Sequence, residues 1–373
     1  MQGQGCCICH IALLSRFCIE IKPVSTLDVF HLSSPVLHIA EDPFIDGNLL
    51  LAQKTRLQSY NGTHVIPVVG SEMPGYKEGN GAEAMFRRIN SFTSKNRTHT
   101  IVVDQYNHCL RFVDLGASTT SRLVGQCNLA GSYYPHIQMA DATSAIFDHP
   151  TSIVVKDNAD IFQFYLADSM NNAIHIILMP DATSDSVLVT RIEASMAFNK
   201  PEHLLIHTDS DHLIVADHSG ISRVQLGGSY PVENIINDKR LYAIEFSSNE
   251  PRSVLALSKS LDDVMLLDVD DGSTESLCHC SNQWSDVCSQ INQPVAVFRQ
   301  KRRLSSDTYE VYISQADGIV MGEYKNSLLN GSGCHPLPSH SSLLFPATFS
   351  CKYQLEDTLT SVLILTYIFY VTA

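Results

Sequence analysis

Sixteen histidines, eleven cysteines and 39 acidic residues supply donors for metal binding or acid–base chemistry, so their spacing decides what they can do. Cys278-His279-Cys280 with Cys288 could offer borderline ligands, but the paired Cys-x-x-Cys spacing of structural zinc sites is missing. Asp268-Val269-Asp270-Asp271-Gly272 invites a calcium reading, yet its Gly comes one position too early for an EF-hand loop and no Glu closes it. An Asp-Gly hairpin turn accounts for it better. His108 and His149 sit at turns, and His203, His207 and His212 surround one strand, none in a ligand or triad spacing. There is no Gly-rich phosphate loop and no Gly-x-Ser-x-Gly nucleophile motif. No catalytic, cofactor or metal residue is therefore assigned.

The elements that would position any such residue are legible from a phrase that the chain repeats. Ala145-Ile146-Phe147-Asp148-His149-Pro150 leads into Ser152-Ile153-Val154-Val155, then Tyr165-Leu166-Ala167-Asp168, then Asn171-Asn172-Ala173-Ile174. An earlier copy runs through Ala84-Met85-Phe86, Ile101-Val102-Val103-Asp104 and Asn107-His108-Cys109-Leu110-Arg111-Phe112; a later one runs through Ala197-Phe198-Asn199-Lys200-Pro201 and Leu213-Ile214-Val215-Ala216-Asp217. Fainter copies surround Leu49-Leu50-Leu51, Val254-Leu255-Ala256 and Val311-Tyr312-Ile313, which makes six units. A repeat of about 40 to 60 residues built from short strands points to a radial or solenoid architecture.

Each apolar run is short, rich in Val, Ile, Leu and Tyr, and bounded by Asp, Asn, Gly or Pro. These are strand and turn signals, and runs apolar on both faces suit strands stacked between neighbouring sheets. The expectation is all-β: a six-bladed β-propeller with about four strands per blade. Asp104, Asn107, Asp168, Asn171 and Asp217 are read as turn builders whose side-chain oxygens accept nearby backbone N–H groups.

At Val103-Asp104-Gln105-Tyr106-Asn107-His108-Cys109-Leu110-Arg111-Phe112 the chain resembles the NHL-repeat family; Leu166 to Ile174 is a good second match, and Val215-Ala216-Asp217 is truncated at the turn. The other three units lack the Asp and Asn. The resemblance spans roughly residues 30 to 325. It implies the propeller fold but no single activity, because such propellers serve as protein-interaction platforms, as RNA-binding surfaces and as the scaffold of a peptide-amidating lyase.

With 25 Lys and Arg against 39 Asp and Glu the formal charge is −14, which opposes binding to phosphate backbones, and no nucleic-acid partner is expected. The basic run Arg299-Gln300-Lys301-Arg302-Arg303 reads as a solvated loop tip. Eleven cysteines suit an oxidising compartment better than a reduced cytosol. Cys109 and Cys127 flank a hairpin with its midpoint at Ser118, so they are expected opposite each other and bridged. Cys280 with Cys288, around Trp284, and Cys334 with Cys351 are further candidate pairs. The sequons at Asn61, Asn96 and Asn330 all fall in expected turns or loops, where an acceptor must be exposed.

Residues 1–25 read as a degenerate signal or leader, a clipped start or an acylated cysteine cluster; residues 26–325 as the propeller; residues 326–357 as a Pro- and Ser-containing linker; and residues 358–373 as an uncharged hydrophobic tail. That tail suits membrane attachment, either as a short span or as a GPI signal, or a closing strand.

Two functions compete. One is a non-enzymatic extracellular or cell-surface module that binds protein or glycan through loops on one propeller face, with a cytoplasmic scaffold as the alternative location. The other is a metal-dependent enzyme of the amidating-lyase or lactonase type, with its ion in the central channel. That enzyme needs donors where the innermost strands begin; Ser33, Asn90, Thr151, Glu202 and Val295 stand there, an irregular set.

Overall fold

The computed structural model describes residues 29–31, 34–131, 140–156, 162–179, 187–207, 211–247, 250–258, 263–276, 289, 291, 293–301, 308–315 and 318–325. All lie in one compact unit, Pro23–Cys334.

The chain forms six antiparallel sheets arranged as the blades of a propeller. Blade one is β2 (Val36–Glu41), β3 (Leu49–Gln53), β4 (Arg56–Tyr60) and β5 (Val65–Val69). Blade two is β7 (Ile89–Ser94), β8 (His99–Asp104), β9 (Cys109–Asp114) and β10 (Thr119–Val124), with β6 (Gly79–Asn80) added outside β10. Blade three repeats that plan with β12 (Pro150–Lys156), β13 (Phe162–Asp168), β14 (Ala173–Met179), β15 (Leu188–Arg191) and the added β11 (Ala140–Asp141). Blade four is β16 (His203–His207), β17 (His212–Asp217), β18 (Gly220–Gln225) and β19 (Val232–Ile236). Blade five is β20 (Leu241–Ser247), β21 (Glu250–Ser258), β22 (Asp263–Asp268) and β23 (Thr274–Ser276). Blade six takes β24 (Ala296–Lys301), β25 (Thr308–Gln315) and β26 (Gly318–Lys325) from the C-terminal side and β1 (Val29–His31) from the N-terminal side.

The first strands β2, β7, β12, β16, β20 and β24 abut one another in sequence, and β24 returns to β2. Pairing of Val29 with Val320 and of His31 with Gly318 completes the last blade with the first strand, closing the ring through hydrogen bonds between distant parts of the chain.

Alternation along each strand explains the continuous apolar runs. On β8, Ile101 and Val103 pack toward blade three while Val102 packs toward blade one. On β17, Leu213 and Val215 face blade three while Ile214 and Ala216 face blade five. Each of the six blade interfaces holds its own apolar cluster, so both faces of every sheet are covered.

The Gly227 to Lys239 stretch, whose residues show little strand pattern, carries β19. One detail departs from the sequence expectations. Arg299 is no loop tip but a buried residue on β24, whose next two residues pair with Glu310 and Tyr309. The acidic run does form a hairpin turn, with Asp268 Oδ1 accepting the N–H of Asp270 and Gly272 N–H donating to the Asp268 carbonyl. Among the described residues no helix is long and apolar enough to cross a membrane.

Candidate functional site

Antiparallel order puts the loops of each blade on two opposite faces. The connections between first and second strands share one face with those between third and fourth. The turns between second and third strands share the other with the chains that enter the next blade. On this second face blades two and three each place a 3-10 turn, Gln105–Asn107 and Ser169–Asn171, followed by a residue in the left-handed region, His108 (φ 57°) and Asn172 (φ 50°).

Asp104 and Asp168 precede these turns but do not cap them. Their buried carboxylates reach the chain that enters their own blade. Asp104 Oδ1 accepts Arg87 N–H at 3.0 Å and Arg88 N–H at 3.2 Å, and Asp168 Oδ1 accepts Asp148 N–H at 2.8 Å. The other oxygen takes the turn's amide: Asn107 Nδ2 donates to Asp104 at 2.7 Å and Asn171 Nδ2 to Asp168 at 2.8 Å. Both amides also donate to a carbonyl of the incoming loop, Gly75 and Gly131 respectively. The asparagines are thus donors, a correction to the expected acceptor role, because the neighbouring carboxylate already supplies the acceptor. Asp217, whose turn is truncated, does cap locally, accepting Ser219 N–H at 2.6 Å, and also holds Asn199 N–H at 2.9 Å.

A third member sits seven residues beyond each Asp. Arg111, fully buried, donates to Asp104 at 3.2 Å and to the carbonyls of Met85 and Lys77, its guanidinium lying between the Tyr76 and Phe86 rings. His175, also buried, stands at the same place, its Nε2 3.0 Å from Asp168 and its ring against Phe147. Burial raises the Asp104 pKa, opposed by the Asn107 amide, the Arg111 charge and the Arg88 and Arg87 N–H groups.

Between blades two and three this lock brings together His108, Asp148 and His149. His149 N–H donates to His108 Nδ1 at 3.1 Å, His149 Nδ1 lies 2.6 Å from Asp148 Oδ1, and His108 Nδ1 lies 3.6 Å from the same oxygen. The two imidazoles meet edge to face at 4.6 Å, and Tyr106, itself under the Arg88 guanidinium, meets the His149 ring edge to face at 5.5 Å. Burial lowers the His108 pKa, followed by the His149 charge, while Asp148 and Asp168 act the other way. Sequence spacing could not find this cluster, since 40 residues separate His108 from Asp148; the one usable signal was that both histidines fall at turn positions of adjacent repeats.

Cys109, next to His108, is bonded to Cys127 with the Cα atoms 5.1 Å apart. The two are not opposite across the hairpin as expected. Leu110 pairs with Val124 after a register shift, so Cys127 lies beyond the end of β10. The chain turns there at Gly125 (φ 97°), where a Cβ would come within 3.3 Å of the Cys109 Cα and 3.0 Å of the Phe147 ring. The bridge therefore ties β9 to the loop that enters blade three.

The residues that stand where the innermost strands begin are engaged with neighbouring groups, within a blade or across to the next. Asn90 Nδ2 donates to the Thr151 carbonyl, Thr151 Oγ1 donates to the Pro201 carbonyl, and Glu202 meets His218 at 2.9 Å. Val295 N–H donates to the Ser314 carbonyl. Asn61 and Asn96 lie in exposed turns on the opposite face, each accepting the backbone N–H groups of the second and third residues that follow. Ser33, Cys280, Cys288, Cys334, Cys351, Asn330 and both chain ends lie outside the described residues.

No protein-family model and no curated protein sequence matches the chain. Solved structures resemble it at low identity. Streptogramin B lyase is 9% identical with a TM-score of 0.49, over 81% of this chain and 98% of that one. Virginiamycin B lyase from Staphylococcus aureus is 11% identical with a TM-score of 0.47, over 80% and 88%. A chain of the nidogen–laminin complex is 9% identical with a TM-score of 0.45, over 65% and 79%. These neighbours mix enzymes and non-enzymes, and the propeller assignment rests on the strand order rather than on them.

Proposed function

We propose that this chain is a non-enzymatic interaction module, secreted or held at a cell surface, that docks a protein partner on the face carrying the His108 and Asn172 turns. The NHL-like reading of the repeats belongs to the same proposal, supported by the matching Asp, Asn and Arg or His locks of blades two and three.

The supporting observation is where the exposed methionines lie. Met73, Met170 and Met196, with Leu129, are exposed in loops of that face, in the entries to blades two, three and four or in the turn of blade three, while Phe44 and Ile45 are exposed in the β2–β3 loop of the opposite face. Exposed methionine is flexible and polarizable, which suits an adaptable protein contact. Asn61 and Asn96 both lie on the opposite face, so glycans there would leave the methionine-bearing face open. The disulfide agrees with an oxidising location. An enzyme with a channel ion is less well supported, because Asn90, Thr151 and Glu202 are already spent on neighbouring groups.

The test is secretion from a eukaryotic cell followed by N-glycosidase treatment and cell-surface binding. Two glycan steps lost in Asn61→Gln and Asn96→Gln are expected. Cell binding should fall with Met73→Glu, Met170→Glu and Met196→Glu combined and persist with Ile66→Glu on an outer strand. Binding that ignores the methionine substitutions, or that free glycans compete away, would refute the protein-docking reading.

A further inference from the structure

We propose that His108, Asp148 and His149 form a binding site for a divalent transition-metal ion of the zinc class at the junction of blades two and three. One ligand atom from each residue lies within 4.8 Å of the others. Two imidazoles and a carboxylate are a borderline donor set suited to Zn²⁺; tetrahedral donors at about 2.0 to 2.2 Å from an ion stand about 3.3 to 3.6 Å apart, so the partly exposed Asp148 and His149 side chains draw in by about 1 Å on binding.

The chain contains its own control for the alternative that these residues merely hold the fold. At the next junction Asn172, Asn199 and Lys200 occupy the same three places. Asn172 and Lys200 both sit at φ 50°, against 57° and 52° for His108 and His149. The same blade-to-blade bond is made, Lys200 N–H donating to Asn172 Oδ1 at 2.8 Å where His149 N–H donates to His108 Nδ1. The scaffold therefore needs only an acceptor at the first place and tolerates a lysine at the third. The two imidazoles and the carboxylate exceed that requirement.

The site is also held in place. Asp148 N–H is fixed by the buried Asp168, Cys109 is bridged to Cys127, and Asn128 N–H donates to the Asn107 carbonyl at 2.8 Å. The side chains of Asp148 and His149 are 28% and 38% exposed, enough to admit an ion and a fourth ligand from water or from a docked partner. Binding exchanges the His149 bond to Asp148 for coordination of the ion.

The experiment uses the full chain, stripped by chelator and titrated with Zn²⁺ against a chromophoric competitor, with Co²⁺ d–d absorption as the spectroscopic readout. Variants come from the chain's own next junction: His149→Lys alone, and His108→Asn, Asp148→Asn and His149→Lys together. Wild type should bind one ion, and both variants should lose at least about 100-fold in affinity, beyond the range for disturbing a ligand's partner. Their metal-free melting should stay near wild type; if the triple variant fails to fold, His149→Lys, a change of an exposed side chain, carries the test. His207→Ala, on the opposite face, should bind as wild type does. Stoichiometric binding that survives His149→Lys, or wild type that takes up no ion at millimolar zinc, overturns the proposal.

Discussion

Replacing Asp104 by Ala tests the central claim that the repeat's Asp locks the incoming chain rather than its own turn. The carboxylate and the Arg111 guanidinium are both fully buried, and Asp104 is the acidic partner of that cation. Deleting it leaves the guanidinium facing two carbonyls and two aromatic rings without a counter-charge, and frees the Arg87 and Arg88 N–H groups. Breaking a buried pair from one side costs about 3–5 kcal/mol. Asp217→Ala is the comparison. Its carboxylate accepts three N–H groups near the surface and no buried cation, so a loss of about 1 kcal/mol is expected. Urea unfolding with unchanged m-values should separate the two variants by roughly 3 kcal/mol. Because burial raises the Asp104 pKa against its partners, the pair itself contributes little net stability. Asp104→Ala with Arg111→Met should therefore recover part of the loss. Equal destabilisation by the two single changes, or a double variant worse than Asp104→Ala, would refute the reasoning.

Three further outcomes are expected. Removing the Cys109–Cys127 bridge, which spans 18 residues, should cost about 3 kcal/mol in the loop-entropy account, read as a drop in the urea midpoint of Cys127→Ser; an unchanged midpoint would show that the bridge does not constrain the unfolded chain. His38 is pushed from 6.5 down to about 3 by burial and then by His203 across the ring. Protonation thus favours unfolding, so its contribution is complete above 6.5 and is lost as pH falls toward 3, by at most about 1.4 kcal/mol per pH unit; His38→Gln should flatten the acid limb of a stability–pH curve, and an identical limb would contradict this. Gly220→Ala should destabilise well beyond the ~1–2 kcal/mol of left-handed strain, since at φ 143° its Cβ would lie 2.1 Å from the Ile236 carbonyl oxygen, whereas Gly227→Ala meets open space; equal melting temperatures would refute the contact argument.

Blade number, with about four strands to a blade, was written in the sequence because each strand is short, bounded by turn residues and apolar on both faces; the two-residue strands β6 and β11 added to blades two and three were not. Any strand stacked between two neighbours must read that way, so Ile101 to Val103 or Leu213 to Ala216 declared their setting locally. The Asp and Asn of each turn were legible as a pair, but not their direction. The carboxylate's partners at Arg87, Arg88 and Arg111 are brought in by the fold, and a residue pattern carries no information about which N–H groups are left without an acceptor. The disulfide pair was readable while its geometry was not, because a register shift in β10 and the turn at Gly125 lie between the cysteines.

Ring closure, the separation of sequons from exposed methionines, and the meeting of His108 with Asp148 and His149 were decided by tertiary structure alone. Each depends on where one blade ends against the next. Local propensity sets a strand, but the relation between strands far apart in the chain is set by packing all six interfaces at once.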